Sequence, residues 1–440
     1  MKKGFDRMSP AQILALTFLG LIFLGTVSLM LPMMSTQQPL TLVEALFTAT
    51  SAVCVTGLVV VDTGTRLTTI GQGVVLALIQ FGGLGLMTMA TMMAIMLGKR
   101  ITFRGRLIMQ EALNQFTLEG MVRLTRYVVR TTLFLEGLAA TVLFLRLRPS
   151  LGTAKGLWFG IFHSVSAFCN AGFDLFGGFQ SLESFTSDIT VNIVIISLIV
   201  LGGIGFSVIA DVYTRKGFRG LSLHSKLVIK LTILLIIGAT LMVAVLEWDK
   251  ALAPYDLTGK VLGSLFTGVT PRTAGFNTVP TAALGNATTL MVMVLMFIGA
   301  SPGSTGGGIK TTTFFVLIHA IHGASTNKEP SAFKRKISQD NIHKSFVITL
   351  LALTVVVVAT FLLSILEPST DFVALLLEVV SGFGTVGLST GITPGLEPLS
   401  KIILVLTMFI GRLGPLTIAS LWIYNVKSDI SFSEETLSVG

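Results

Sequence analysis

Apolar residues fall into stretches of two lengths that alternate along the chain. Segments 11–31, 127–147, 227–246 and 346–366 are long enough for spanning helices, because a bilayer core of about 30 Å takes about 20 apolar residues. Each is followed by a short apolar segment, at 42–53, 157–168, 257–269 and 372–380, too brief to cross. A further long segment then returns, at 71–97, 189–212, from about 289, and 402–424. Long, short, long, four times over, predicts an all-α polytopic membrane protein. It would have eight spanning helices and four re-entrant half-helices, repeated around a pseudo-fourfold axis. The repeats divide the chain into 1–98, 99–214 with a basic loop at its start, 215–325, 326–427 and a short tail at 428–440.

A glycine turn follows every short segment. The four read Val55-Thr56-Gly57-Leu58, Asn170-Ala171-Gly172-Phe173, Thr273-Ala274-Gly275-Phe276 and Thr385-Val386-Gly387-Leu388. Their glycines stand 115, 103 and 112 residues apart, too regular for chance recurrence. Backbone that points successive carbonyls at one axis needs positive φ, which glycine adopts without a Cβ penalty. Rings of such carbonyls replace the hydration shell of a potassium ion, and the fourth copy is close to the Thr-Val-Gly-Tyr-Gly filter of potassium channels. The twelve residues Val55, Thr56, Gly57, Asn170, Ala171, Gly172, Thr273, Ala274, Gly275, Thr385, Val386 and Gly387 are therefore expected to form a degenerate selectivity filter, with potassium at its carbonyls. The plainer alternative is four turns in re-entrant loops with no ion path. Half-helices entering from outside would aim their partly negative C-terminal ends at the centre. Glu44 and Glu378 lie on them, yet no ring of four acids exists at matching positions. Asp174, just past Gly172, is a candidate for drawing cations to the outer mouth or an ordinary loop acid.

Composition agrees: of 440 residues, 52% are hydrophobic and 12% charged, against about 25% charged in soluble domains. Residues 11–31 follow Lys2, Lys3 and Arg7 like a signal peptide, but their length and the lack of a small-residue cleavage site favour a first span. Most of the 31 lysines and arginines fall in the N-terminal segment and in the runs 99–126, 215–230 and 328–344. These lie on alternate sides of paired spans, so the positive-inside rule puts them and both termini in the cytoplasm. The formal charge of +9 thus reflects topology, with attraction to anionic lipid or an acidic partner next, rather than nucleic-acid binding. Cys54 and Cys169 both stand three residues before a filter glycine. Buried thiols behind the filter are expected, and no metal-ligand spacing is present.

A second glycine mark lies in the middle of every returning segment: Gly82-Gly83-Leu84-Gly85, Gly202-Gly203-Ile204-Gly205, Gly299-Ala300-Ser301-Pro302-Gly303 and Gly411-Arg412-Leu413-Gly414-Pro415. Close helix packing explains the first two. The third continues as Gly303-Ser304-Thr305-Gly306-Gly307-Gly308-Ile309-Lys310, where each glycine costs a helix about 1 kcal/mol and Pro302 removes a donor. Unwound backbone at this depth must line a cavity. Gly303, Ser304, Thr305, Gly306, Gly307, Gly308 and Lys310 are expected to form a flap across the path, and Arg412, in mid-span, to bond to it. A kink outside the pore and a structural pairing of Arg412 are the bland alternatives. Burying that charge costs at least about 2.5–3.5 kcal/mol. Gly303 to Gly308 imitates a phosphate-binding loop, but Ile309 stands where its lysine belongs. Gly299-x-Ser301-x-Gly303 imitates a hydrolase elbow, with His319 and His322 downstream but no acid partner. Broken spans also occur in secondary transporters, whose repeats are commonly inverted; here they run in parallel.

Together the four filter motifs, Thr270-Pro271-Arg272 before the third, the loop through Lys310 and Ile410-Gly411-Arg412-Leu413-Gly414-Pro415 resemble the membrane subunit of the Ktr/Trk/HKT potassium transporter superfamily over nearly the whole chain. Trk-type subunits carry two additional N-terminal spans, so the chain is more similar to the Ktr branch. The resemblance implies potassium uptake without enzymatic chemistry or a tightly bound cofactor. It implies a homodimer in a bacterial plasma membrane, on a cytosolic ring of regulatory subunits that bind nucleotides. It also implies a gate made by the third-repeat loop with the fourth-repeat arginine, and sodium as an activator in some members. In related plant transporters serine at the first filter glycine accompanies sodium preference, so Gly57 points to potassium. The run Gly306 to Gly308 departs from the pattern and would soften the flap.

Overall fold

In the computed structural model the described residues are 8–85, 88, 107, 110, 121–215, 217–333 and 335–421. Much of the basic run 99–126, Lys334 and the tail 428–440 lie outside them. The described chain is mostly helical. Its long helices are α1 (Pro10–Leu29), α4 (Met121–Leu151), α8 (Leu223–Glu247) and α12 (Gln339–Leu366). The short ones that follow are α2 (Leu42–Cys54), α5 (Thr153–Phe168), α9 (Leu257–Val269) and α13 (Phe372–Gly384). The returning helices are α3 (Thr69–Leu84), α6 (Ile189–Gly203) continued by α7 (Phe206–Arg215), α10 (Asn286–Phe297) continued by α11 (Thr311–Thr326), and α14 (Pro398–Leu413) continued by α15 (Pro415–Ser420). Strands β1 (Ser331–Ala332) and β2 (Arg335–Lys336) pair antiparallel in a small hairpin between α11 and α12.

Local chemistry sets the ends of the short helices. Ser9 and Thr41 close capping boxes with Gln12 and Glu44, each satisfying donors that a helix start leaves free. Glu44 is thereby used as a cap, through 2.8 Å to the Thr41 amide. Asp256 and Asp371 cap α9 and α13 at 3.0 and 3.1 Å. At the other end, helices α2 and α13 stop where Val55 and Thr385 turn left-handed.

Each long helix packs on the short helix after it, and each returning helix packs on the short helix of the next unit: α3 on α5, α6 on α9, α10 on α13 and α14 on α2. That order closes on itself. The short helices are consequently the core; from Ala45 to Cys54 and from Leu375 to Gly384 nearly every residue is buried. The long helices present their apolar side chains outward instead, with Phe134 68% and Val245 80% exposed. Apolar exposure on this scale marks contact with lipid.

The returning segments differ from the unbroken helices expected of three of them. All four are interrupted at the second glycine mark: at Gly85, Gly205 and Gly414, with φ of 81°, 96° and 90°, and between Ile298 and Lys310. Helices α6 and α7 meet at 95°. Sixteen residues of α3 span about 24 Å, short of the bilayer core. Among the described residues four helices are long and apolar enough to cross a membrane unaided, and α6 with α7 makes a fifth if counted as one. Residues 86–97 and 422–424 of the expected spans lie outside the described residues, apart from Thr88. The glycine runs serve packing as well as breakage: a β-carbon on Gly82, Gly202 or Gly411 would overlap the carbonyl of Val53, Phe168 or Phe383.

Candidate functional site

The four glycine turns meet. A β-carbon placed on Gly57 would lie 2.5 Å from the Ala171 carbonyl oxygen, and one on Gly172 would lie 2.8 Å from that of Ala274. One on Gly275 would overlap the Val386 carbonyl, and one on Gly387 the Thr56 carbonyl. Each turn thus touches the next, and the fourth returns to the first. The ring glycines have φ between 70° and 96°, so they satisfy both demands, positive φ and room for a neighbouring carbonyl.

The turns are stranger than the glycines alone suggest. Val55, Asn170, Thr273 and Thr385, two residues earlier, also have positive φ, of 57°, 57°, 68° and 49°. For β-branched residues this is a genuine outlier, and such strain persists where surrounding structure over-determines it. The determinant is a hydroxyl residue in, or capping, the end of the preceding helix. Ser51 accepts from the Gly57 amide at 3.1 Å while its carbonyl accepts from Thr56 at 2.8 Å. Ser381 does the same for Gly387 and Val386, at 3.0 and 2.9 Å. In the second turn the Ser166 carbonyl takes the Ala171 amide and its hydroxyl donates to the Phe173 carbonyl. Thr270 takes the Ala274 amide and donates to the Phe276 carbonyl. The sequence alone assigned none of these four residues this role, although Thr270 stands in the motif before the third turn. Their signal was present: a serine stands six residues before the glycine in three copies, a threonine five before it in the other.

On one side of the ring the four glycines floor a cavity of about 260 Å³ that Asp174, Glu183, Asn277, Ser389 and Thr393 also line. Burial pushes the Asp174 carboxyl up to about 6; the Phe176 amide draws it back and the Asp62 carboxylate adds to the rise. Glu378 is buried and holds Ser389 and Thr393 through their hydroxyls, fixing the rim. Cys54 and Cys169 are both free and buried.

On the other side lies the loop of the third returning segment. A β-carbon on Gly306 would overlap Oγ1 of Thr273, and one on Gly307 would overlap Oγ1 of Thr385. The loop therefore sits directly against two of the four turns. Ser301 and Thr305 donate their amides to the Gly203 and Gly202 carbonyls, and Phe206 donates to Gly303 at 2.9 Å. Lys310 Nζ reaches the Gly306 carbonyl at 2.7 Å. Arg412 donates to the Thr305 carbonyl, and to those of Gly82 at 2.5 Å and Gly83 at 3.2 Å. A cavity of about 160 Å³, lined by Gly303, Ser304, Gly306, Lys310, Arg412 and Thr417 among others, opens beneath. All twelve turn residues and all eight loop and arginine residues singled out in the sequence are thus brought into one continuous assembly. The Ser301 hydroxyl pairs with that of Thr311 at 3.1 Å, and His319 stacks on Phe315 and points to its carbonyl, so the hydrolase constellation is not assembled.

Residues 2–434 match the TrkH family, described as cation transport proteins. The chain belongs to that family. Among TrkH-like relatives it is 41% identical over 437 residues to Ktr system potassium uptake protein B of Bacillus subtilis, covering 99% of this chain and 97% of that one. It is 36% identical over 448 residues to the potassium/sodium uptake protein NtpJ of Enterococcus hirae, covering 100% and 99%. The crystal structure of the potassium transporter TrkH from Vibrio parahaemolyticus superposes with a TM-score of 0.74 at 18% identity, over 95% of this chain and 86% of that one. This likeness establishes a shared fold. The family and these relatives are transporters rather than enzymes, and the apolar helices make this TrkH-family chain a multi-pass cell-membrane protein.

Proposed function

We propose that the protein is the membrane subunit of a potassium uptake system and that the ions pass through the ring of Gly57, Gly172, Gly275 and Gly387. The closure of that ring carries the reading. Backbone amides of the turns are tied back to Ser51, Ser166, Thr270 and Ser381 or to the carbonyls beside them, which leaves turn carbonyls free for a dehydrated cation. The C-terminal ends of four short helices add partial negative charge without a buried carboxylate ring. Counting α6, α10 and α14 each with its continuation as one broken span, and α3 as the fourth returning span, gives eight spans and four re-entrant helices in four units. The basic segments lie in the cytoplasm with both termini, so the 260 Å³ cavity faces outward and the loop at Gly303 to Lys310 closes the inner side with Arg412.

The relatives' designation as members of a Ktr system supports a multi-component assembly, here a homodimer on a cytosolic nucleotide-binding ring that moves the loop. The name of the Enterococcus relative favours a second reading in which sodium is an activator or a co-transported ion. The test is rescue of a potassium-transport-deficient bacterium at limiting potassium, with sodium present or absent. Rescue in both media supports potassium uptake, rescue in sodium alone supports the second reading, and correct insertion without rescue overturns both.

A further inference from the structure

Away from the ring, at the basic ends of α7 and α8, two cavities adjoin whose chemistry is complementary to one kind of molecule. The first, of about 420 Å³, is lined by Arg215, Arg219, Lys226 and Arg335 around the first residues of α8. The second, of about 440 Å³, is lined by Leu227, Leu231, Leu234, Phe315 and Ile318. Phe333, in the hairpin between β1 and β2, lines both, and Lys230 lies 5.9 Å from its ring.

We propose that this paired site binds one anionic phospholipid, with its phosphate among Arg215, Arg219, Lys226 and Arg335 and an acyl chain along α8 and α11. The positive cavity suits a phosphate for three reasons. Arg215 is turned inward by Asp211 at 2.8 Å and the Gly220 carbonyl at 3.1 Å, and Lys226 is held by the Arg219 carbonyl at 2.7 Å. Among the described residues the guanidinium groups of Arg219 and Arg335 have no acceptor, so their donors are available. The first amides of α8, capped at Ser222, point the positive end of a helix at the same space. Asp211 offsets one of the four cations and leaves a net positive site.

The apolar cavity selects a lipid over a free anion. It continues into the outward face of α8, where Ile233, Leu234 and Ile237 are more than half exposed, so an acyl chain enters sideways from the bilayer without leaving an apolar phase. Basic pockets between helices at a membrane surface recognise lipid headgroups in this way. An acidic surface of a regulatory protein would use the arginines and leave the groove between α8 and α11 unfilled. The site rests on the membrane setting and not on the ion path.

The experiment is a titration of the delipidated, purified full chain with phosphatidylglycerol, read by native mass spectrometry, beside phosphatidylcholine and glycerol phosphate. The triple variant R219Q/K226Q/R335Q should bind phosphatidylglycerol roughly tenfold or more weakly, and I318W, which fills the groove, should weaken it comparably. R335Q alone, in the hairpin, serves if the triple variant does not fold. Equal affinity in all variants, phosphatidylcholine binding as tight as phosphatidylglycerol, or glycerol phosphate binding as tight as the lipid would overturn the proposal. So would variants that lose an acidic protein partner while keeping the lipid.

Discussion

The guanidinium of Arg412 donates to the carbonyl of Thr305, joining the fourth returning helix to the loop that lies against the ring. The same side chain reaches the Gly82 and Gly83 carbonyls, so one charge ties the loop to the first and fourth units at once. These acceptors are neutral backbone oxygens, and among the described residues no carboxylate is paired with the arginine. A contact of this kind is strong enough to hold a flap and weak enough to release one.

R412Q should therefore raise potassium flux and make it less dependent on the cytosolic partner. A coupling of about 1–3 kcal/mol, roughly 5- to 150-fold, is the usual scale of such control. Flux through reconstituted protein, with and without the regulatory subunit, measures it. Wild-type flux under both conditions would return Arg412 to a purely structural role.

Serine at Gly57 or Gly387 tests the ring. Its β-carbon would meet the Ala171 or Thr56 carbonyl closer than 3.0 Å, in a backbone with φ of 89° or 96°. The neighbouring turn must move, and carbonyls that no longer face one axis replace a hydration shell less well. Potassium preference over sodium should fall while insertion is preserved, as reversal potentials of reconstituted protein would show. A matched substitution at Gly391, where φ is also positive but nothing lies within 4 Å, should leave selectivity unchanged.

Asp174 should make the cavity floored by the ring glycines sensitive to pH. Its carboxyl, pushed up to about 6 by burial, is charged above that pH and neutral below it. Attraction of cations to the cavity should therefore weaken as pH falls from 7.5 to 5. The apparent affinity for potassium should drop about twofold to fivefold, a change of about 1 kcal/mol or less. D174N should show the lower affinity at every pH. A pH response that survives in D174N would assign it elsewhere, with Glu183 the next group to replace.

What could be read from the chain, and what could not, divides along physical lines. The lengths of apolar segments and the recurrence of Gly57, Gly172, Gly275 and Gly387 are linear properties, and they located the short helices to within a turn; residues 257–269 coincide with α9, whereas α5 begins at Thr153 rather than 157 and α13 runs to Gly384 rather than 380. The Gly306 to Gly308 run and Arg412 were legible because each violates what a spanning helix tolerates. The breaks at Gly85, Gly205 and Gly414 were not, because a glycine that packs and a glycine that turns look alike in sequence, and these stretches do both. Ser51, Ser166, Thr270 and Ser381 were passed over because a hydroxyl in a short apolar helix gains its meaning only when the turn after it folds back. The basic and apolar cavities beside α8 combine residues from α7, α8, α11 and the hairpin, more than a hundred positions apart at the extremes, and no linear pattern joins them.

The close approach between loop and ring offers a test of the proposed gate. At Gly307 the three atoms nearest an added β-carbon would all belong to Thr385: its Oγ1, its Cγ2 at 2.8 Å and its Cβ at 3.1 Å. A rigid β-branched side chain cannot turn aside, so in G307A the loop must leave its seat. Flux should rise without the partner. T385A removes the two nearer atoms and leaves a contact of 3.1 Å, which a small shift accommodates. The double variant G307A/T385A should therefore regain a closed loop, and its flux without the partner should fall back toward that of T385A. Contacting residues show interaction energies of about 0.5–3 kcal/mol in such cycles. Additive effects of the two substitutions would mean that Gly307 does not seat the loop against Thr385 in the closed state.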